Sequence, residues 1–174
     1  KGAVIGYCGA LLGMRLDVPL LEQLAARNPQ WNFVFVGPED EAFQQSALHR
    51  QPNVYFLGPK PAHKLPAYVQ HFDVCMNPQV VNMLTIGNYP RKIDEYLAAG
   101  KPVIATETEA MQLFRDHCLL TQGLSGYEAG IASLLAAGET NREAKIAFAL
   151  SHTWEDSVAR MLQALQPKKQ NEVV

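Results

Sequence analysis

Charge, cysteine and long apolar runs are all scarce in this chain. Only 18% of its 174 residues are charged, with 15 Lys and Arg against 17 Asp and Glu, a net charge of -2. Without a basic excess there is no electrostatic footprint for nucleic acid, so that partner is excluded. Apolar runs are short, as at residues 33–36, and none is long enough to span a bilayer. The three cysteines, Cys8, Cys75 and Cys118, form no CxxC pair. A disulfide scaffold is therefore not expected, and a reducing, cytoplasmic compartment is. Cys8 and Cys75 sit in apolar runs, where cysteine acts as a small buried hydrophobe. The first residues do not read as a signal peptide. They also lack an initiator Met, so we expect a piece of a longer protein.

Several catalytic signatures are missing too. There is no GxGxxG and no GxxxxGK(S/T), which disfavours a classical dinucleotide site and a P-loop. The five histidines, His49, His63, His71, His117 and His152, are not at ligand spacing from one another or from cysteine, and there is no HExxH. A GxSxG elbow is absent, which leaves that hydrolase type unsupported. There is no internal repeat or low-complexity tract.

What is present is an alternation. Hydrophobic residues reach 48%, enough for the core of a single domain, which we place at residues 1–166 with a tail at 167–174. Short apolar runs at 3–8, 32–36, 53–57, 73–77, 102–105 and 118–121 read as strands. Between them lie amphipathic stretches at 18–26, 39–49, 62–71, 90–99 and 108–115 that read as helices. The pattern is helical again from 125, with breaks at Gly138 and 151–152 and a last helix at 154–165. Tyr55, Phe56, Tyr68 and Phe72 read as core, and the stripe of Val158, Met161, Leu162 and Leu165 as packing against this domain or a neighbour. Strands alternating with helices predict an α/β fold: a doubly wound, mostly parallel, Rossmann-like sheet of about six strands with helices on both faces. Ligands of such sheets bind beyond the carboxyl ends of the strands.

Two loops there carry candidate chemistry. Gly6, Gly9 and Gly13 surround the first turn, where glycine lets backbone approach a phosphate, and Arg15 adds charge. The alternative is a plain tight turn with a surface arginine. The second is the segment from Gly87 to Pro102. It opens a helix with Asn88, Tyr89 and Pro90, and then sets Arg91 and Lys92 in the first turn, where the helix dipole disfavours cations. Glu95, acceptor-only when ionised, could take both hydroxyls of a ribose. The alternative here is an Arg91–Glu95 surface ion pair.

The ordered set of these blocks resembles the C-terminal, donor-binding domain of group 1 glycosyltransferases with the GT-B fold. Val4-Ile5-Gly6-Tyr7-Cys8-Gly9, Phe33-Val34-Phe35-Val36-Gly37 and Asn53-Val54-Tyr55-Phe56-Leu57-Gly58 are similar to its opening strands. Glu95-Tyr96-Leu97-Ala98-Ala99-Gly100-Lys101-Pro102-Val103 is similar to its most specific signature, and Trp154 with Met161-Leu162 to its closing helix. The resemblance implies that Glu95 holds the ribose of a nucleoside diphosphate sugar, and that Gly58, Pro59 and Lys60 frame the base. It implies that Gly9, Arg15, Asn88, Tyr89, Arg91 and Lys92 serve the phosphates.

The sequence also departs from the family. Gly87 stands where a second glutamate often contacts the sugar, and Ala10 where an arginine follows the first glycine. Arg91 and Lys92 are then candidates to restore that charge. The segment Asn88-Tyr89-Pro90-Arg91-Lys92 resembles a branch with N-x-P-x-K. The implied activity is transfer of a hexose-type sugar to a glycan or lipid-linked glycan, without a metal. The acceptor domain lies N-terminal to this chain, the parent is a candidate for membrane-peripheral association, and the domain alone is expected to be inactive. Catalytic residues are not assigned. The rivals are a GT-B-type sugar-nucleotide epimerase domain and a non-enzymatic Rossmann-like interaction module.

Overall fold

The computed structural model describes residues 2–151 and 153–165. Six strands, β1 (Val4–Cys8), β2 (Asn32–Val36), β3 (Val54–Phe56), β4 (Val74–Asn77), β5 (Val103–Thr106) and β6 (Leu119–Thr121), form one sheet in the order β3-β2-β1-β4-β5-β6. Every pairing is parallel. The expected α/β Rossmann-like architecture is therefore the observed one. Strand order reverses between β1 and β4, and their carboxyl ends open the crevice that such a reversal creates.

The helices are α1 (Val18–Arg27), α2 (Glu41–Gln44), α3 (Leu65–Val69), α4 (Lys92–Ala98), α5 (Gly123–Ala137), α6 (Arg142–Leu150) and α7 (Trp154–Leu165). Strand alternation sends side chains to two cores. Ile5, Phe33, Val74 and Ile104 pack with Leu21 and Leu24 of α1 and Ile131 of α5 on one face. Cys8, Cys75, Val103 and Ala105 pack with Ile93 and Leu97 of α4 on the other. All three cysteines are buried and free, as small core hydrophobes are.

Local sequence fixes the helix ends. Asp17 starts α1 by accepting from the Leu20 N–H at 3.0 Å, with proline in the first turn. Gly100 ends α4 at φ +73°, donating to Leu97 C=O at 2.8 Å while Lys101 N–H reaches Tyr96 C=O at 3.0 Å. That is the paired-bond stop that glycine permits.

Several expected elements differ in extent. The helix anticipated at 39–49 is α2 followed by a 3-10 turn, Ala47–Arg50. Buried Ser46 separates them, its hydroxyl donating to Phe43 C=O at 2.7 Å in competition with the helix. The helix at 62–71 opens as a 3-10 turn, Ala62–Lys64, before α3, and the one at 108–115 is a 3-10 helix, Ala110–Phe114. Pro90 precedes α4, accepting from Ile93 N–H at 2.9 Å. Helix α5 starts two residues before the expected 125. Tyr55, expected in the core, is 46% exposed because β3 is an edge strand. The tail at 167–174 and the boundary at 166 lie outside the described residues. Among the described residues, no helix is long and apolar enough to cross a membrane.

Candidate functional site

A cavity of about 390 Å3 opens at the ends of β1 and β4. Gly9, Arg15, Asn88, Tyr89, Arg91, Lys92 and Glu95 all line it, so seven sequence-selected residues from two distant segments meet at one place. A second cavity, about 430 Å3 and mostly apolar, is walled by Leu65, Pro66, Val69 and Ala98. Cys8, Leu65 and Glu95 line both cavities, which makes them neighbours with Glu95 at the junction.

The wall begins with β1. Tyr7 is almost fully buried, and its hydroxyl donates to Ala10 C=O at 3.2 Å, closing the turn after the strand. Gly37 fits against that turn so closely that a β-carbon on it would lie 1.9 Å from Gly9 C=O. Tyr96, fully buried on α4, accepts from Cys8 N–H at 2.8 Å and donates back to Cys8 C=O at 3.3 Å. This pair of bonds fastens α4 to the end of β1 and sets the height of its first turn.

From there the two first-turn cations diverge. The Lys92 ammonium crosses the end of β1 and donates to Tyr7 Oη at 2.7 Å, lying 4.5 Å from the tyrosine ring centroid. A β-carbon on Gly9 would be 3.4 Å from Lys92 Nζ, so the lysine stands directly against the first glycine turn. Arg91 instead stacks its guanidinium 4.7 Å from the Trp154 ring centroid of α7. The Arg91–Glu95 ion pair weighed from spacing does not form among the described residues. Burial lowers the Lys92 pKa to about 8; the Glu95 carboxylate works against the shift and the Arg15 charge with it. Burial, aided by Glu95, pushes the Cys8 thiol up to about 12, which leaves it an unreactive lining.

Tyr89 donates to Asp94 Oδ2 at 2.6 Å, and its ring sits 5.3 Å from that of Phe114. Burial and the Asp94 carboxylate raise its phenol pKa, so it is a neutral donor. Gly58, Pro59 and Lys60 are not brought to either cavity. Gly58 C=O accepts from Gly37 N–H at 3.1 Å, and the Lys60 ammonium lies 5.9 Å from the Tyr68 ring centroid. The neighbouring segment containing Ala62, Leu65 and Pro66 forms the apolar wall instead.

The sequence marks 77–89, after β4, as a loop at the ligand edge of the sheet, but singles out none of its residues before Gly87. Asn82 Oδ1 accepts from Leu84 N–H at 2.9 Å and Thr85 N–H at 3.1 Å, an Asx turn. Gln79 donates to Thr85 C=O at 2.7 Å, and the Thr85 hydroxyl donates to Val80 C=O. Val80 N–H bonds Arg15 C=O at 2.9 Å and Asn82 Nδ2 bonds Met14 C=O at 3.1 Å, so this loop and the first glycine loop are stitched together. The Asn-x-x-Thr spacing was the available signal. The same loop holds Met83 98% exposed beside exposed Val81, Leu84 and Ile86. No group of His, Cys, Asp and Glu that could hold a metal ion occurs among the described residues.

Residues 2–156 match the family described as "Glycosyl transferases group 1". TuaH of Bacillus subtilis (strain 168), which carries a provisional assignment as a teichuronic acid biosynthesis glycosyltransferase, is 34% identical over 110 residues, 61% of this chain and 27% of that protein. Among solved structures, Anabaena Alr3699/HepE in complex with UDP matches with TM-score 0.71 at 22% identity, covering 94% of this chain and 49% of that one. The catalytic domain of the cholesterol-alpha-glucosyltransferase from Helicobacter pylori matches with TM-score 0.70 at 13% identity, over 88% of this chain and 100% of that one. At these identities the structural matches establish the fold. The chain spans about half the length of the Anabaena protein and about a quarter of TuaH.

Proposed function

The chain belongs to the group 1 glycosyltransferases, and from that premise we propose that it is the C-terminal domain that binds a nucleoside diphosphate sugar for transfer of a hexose-type sugar. The observation that carries this reading is the position of Lys92, delivered from α4 to the Gly9 turn. It puts a positive charge at the glycine turn although the position after Gly9 is Ala10.

The two neighbouring cavities suit the parts of such a donor. Apolar walls favour a flat base, and the residues just after Gly58–Lys60, Ala62, Leu65 and Pro66, supply them. Glu95, at the junction, is placed for ribose hydroxyls. Arg15 and Lys92 take the diphosphate, with Asn88 and Tyr89 beside them. Side-chain charge matters more here than the helix, because α4 has only seven residues and its Ile93 and Glu95 N–H groups already bond Pro90 and Arg91 C=O. As the glycosidic bond breaks, negative charge grows on the leaving diphosphate, and these cations stabilise it in place. Charge from Arg15 and Lys92 makes a metal unnecessary in this reading.

The acceptor, a glycan or lipid-linked glycan, would be bound by an N-terminal domain of the longer cytoplasmic protein, peripheral to a membrane where its acceptor is lipid-linked. This chain alone would bind donor without transferring it. Calorimetric titration with UDP, GDP, ADP, TDP and CMP, with and without magnesium, tests the proposal. UDP comes first because the Anabaena neighbour carries it. Selective binding that magnesium leaves unchanged and Glu95→Ala weakens supports the reading; failure to bind any of the five sinks it.

A further inference from the structure

Asn77 ends β4, paired with Ala105 of β5, and is 2% exposed. Its backbone is fixed from two sides. Tyr127 Oη donates to Asn77 C=O at 3.1 Å, and Gln79 N–H does so at 2.9 Å. Asn77 lines the first, more polar of the two cavities, yet its amide nitrogen Nδ2 has no acceptor among the described residues. A buried amide left without a partner destabilises the fold, and most such groups in folded proteins are satisfied. Folding alone gives no reason to keep an amide here. An apolar side chain of the same size would remove the cost.

The surroundings indicate what the amide is kept for. Lys92 stands against the β1 turn and Arg15 lines the same cavity. The β4 side of the same cavity presents Asn77, Gln79 and Thr85, all uncharged. Gln79 Nε2 and the Thr85 hydroxyl are already spent on the carbonyls of their own loop. Neutral amide donors suit neutral hydroxyls, and charged donors suit phosphate.

We propose that Asn77 is a specificity-determining residue whose carboxamide donates to a hydroxyl of the transferred sugar, at the end of β4, with the diphosphate held separately by Lys92 and Arg15. This rests on the donor-binding reading above. It adds a residue from strand β4 to a site otherwise built from the first glycine loop and α4.

The test compares UDP with UDP-glucose on the unmodified chain, on Asn77→Leu and on Asn77→Ser, together with melting temperature. Asn77→Leu is expected to keep or raise the melting temperature. It should lower UDP-glucose affinity about tenfold, the worth of one hydrogen bond, and leave UDP affinity unchanged. Asn77→Ser should show the same selective loss. Equal losses for UDP and UDP-glucose place the amide on the phosphates and overturn the inference. So do an unchanged affinity ratio or a melting temperature lowered by Asn77→Leu, which mark a packing or structural role. Failure of the unmodified chain to bind either ligand overturns the donor reading and this inference with it, whereas the preceding outcomes leave the donor reading standing.

Discussion

The ammonium of Lys92 lies 2.7 Å from the hydroxyl of Tyr7, joining two residues 85 positions apart over the end of β1. Tyr7 belongs to the core on one face of the sheet, and Lys92 comes from the helix covering the other. The bond therefore crosses the carboxyl edge of the sheet at the point where strand order reverses. It holds a half-buried cation against a glycine turn, an arrangement suited to receiving an anion.

Lys92→Ala is expected to weaken UDP binding roughly 10- to 100-fold, the worth of a charge-assisted hydrogen bond. Arg91→Ala should change it little, since that guanidinium stacks on Trp154. Isothermal titration of both variants decides. Equal effects would mean that Arg91 leaves the tryptophan when ligand binds.

UDP affinity is expected to hold at neutral pH and to decline as pH rises through about 8, the pKa to which burial lowers Lys92. The sign follows from charge: the lysine attracts diphosphate only while protonated, and it loses its proton above that value. The neighbouring Cys8 thiol is held up at about 12 and the Tyr7 phenol is raised by burial, so neither titrates in this window. A pH series on Lys92→Met should be flat over the same range. An unchanged decline in that variant assigns the effect to another group.

Glu95→Ala should lower UDP affinity and erase the preference for UDP over 2′-deoxy-UDP, because the carboxylate at the cavity junction has lost its acceptor atoms. Competition titration with the two nucleotides measures this. A preference that survives would move the ribose elsewhere.

Gly37→Ala is expected to destabilise the chain by about 1–3 kcal/mol or more, read as a shifted urea midpoint. The new methyl would meet Gly9 C=O, a backbone atom that cannot step aside as a flexible side chain would. The same change should displace the first glycine turn and reduce UDP binding in the fraction that folds.

Trp154→Ala should loosen α7 from the domain through loss of the Arg91 stack, a contact worth about 0.5–1 kcal/mol at an exposed position. Faster amide exchange confined to α7 is the expected signature. The stripe of Val158, Met161, Leu162 and Leu165 is exposed in this chain, and beside the Arg91 stack the helix is tied by Arg160, whose guanidinium donates to Ser151 C=O at 2.8 Å.

The sequence by itself determined the order of strands and helices, the parallel sheet and the positions of the main stops. These follow from local chemistry: Asp17 caps because its carboxylate reaches two or three residues ahead, and Gly100 stops α4 because its backbone tolerates φ +73°. The same local signals placed Gly9 and Arg15 in the loop after β1 and Lys92 and Glu95 in the first turn of a helix at the same edge of the sheet. What only the tertiary structure decided was which side chains meet. Sequence spacing gave Arg91 and Lys92 equal claims, but the Tyr96–Cys8 bonds set α4 so that one faces the glycine turn and the other α7. The Lys92 contact of Tyr7 and the unpartnered amide of Asn77 were invisible for the same reason. In a strand, a polar residue among apolar ones reads as core, and its partner, or the lack of one, is set by chain segments far away in sequence. The Gly58–Lys60 stretch went the other way: β3 lies at the sheet edge, and the route of the chain from there brings Ala62, Leu65 and Pro66 to the cavity wall. Local periodicity carries backbone conformation, whereas a binding site depends on distances between segments, and those exist only once the sheet has closed its register.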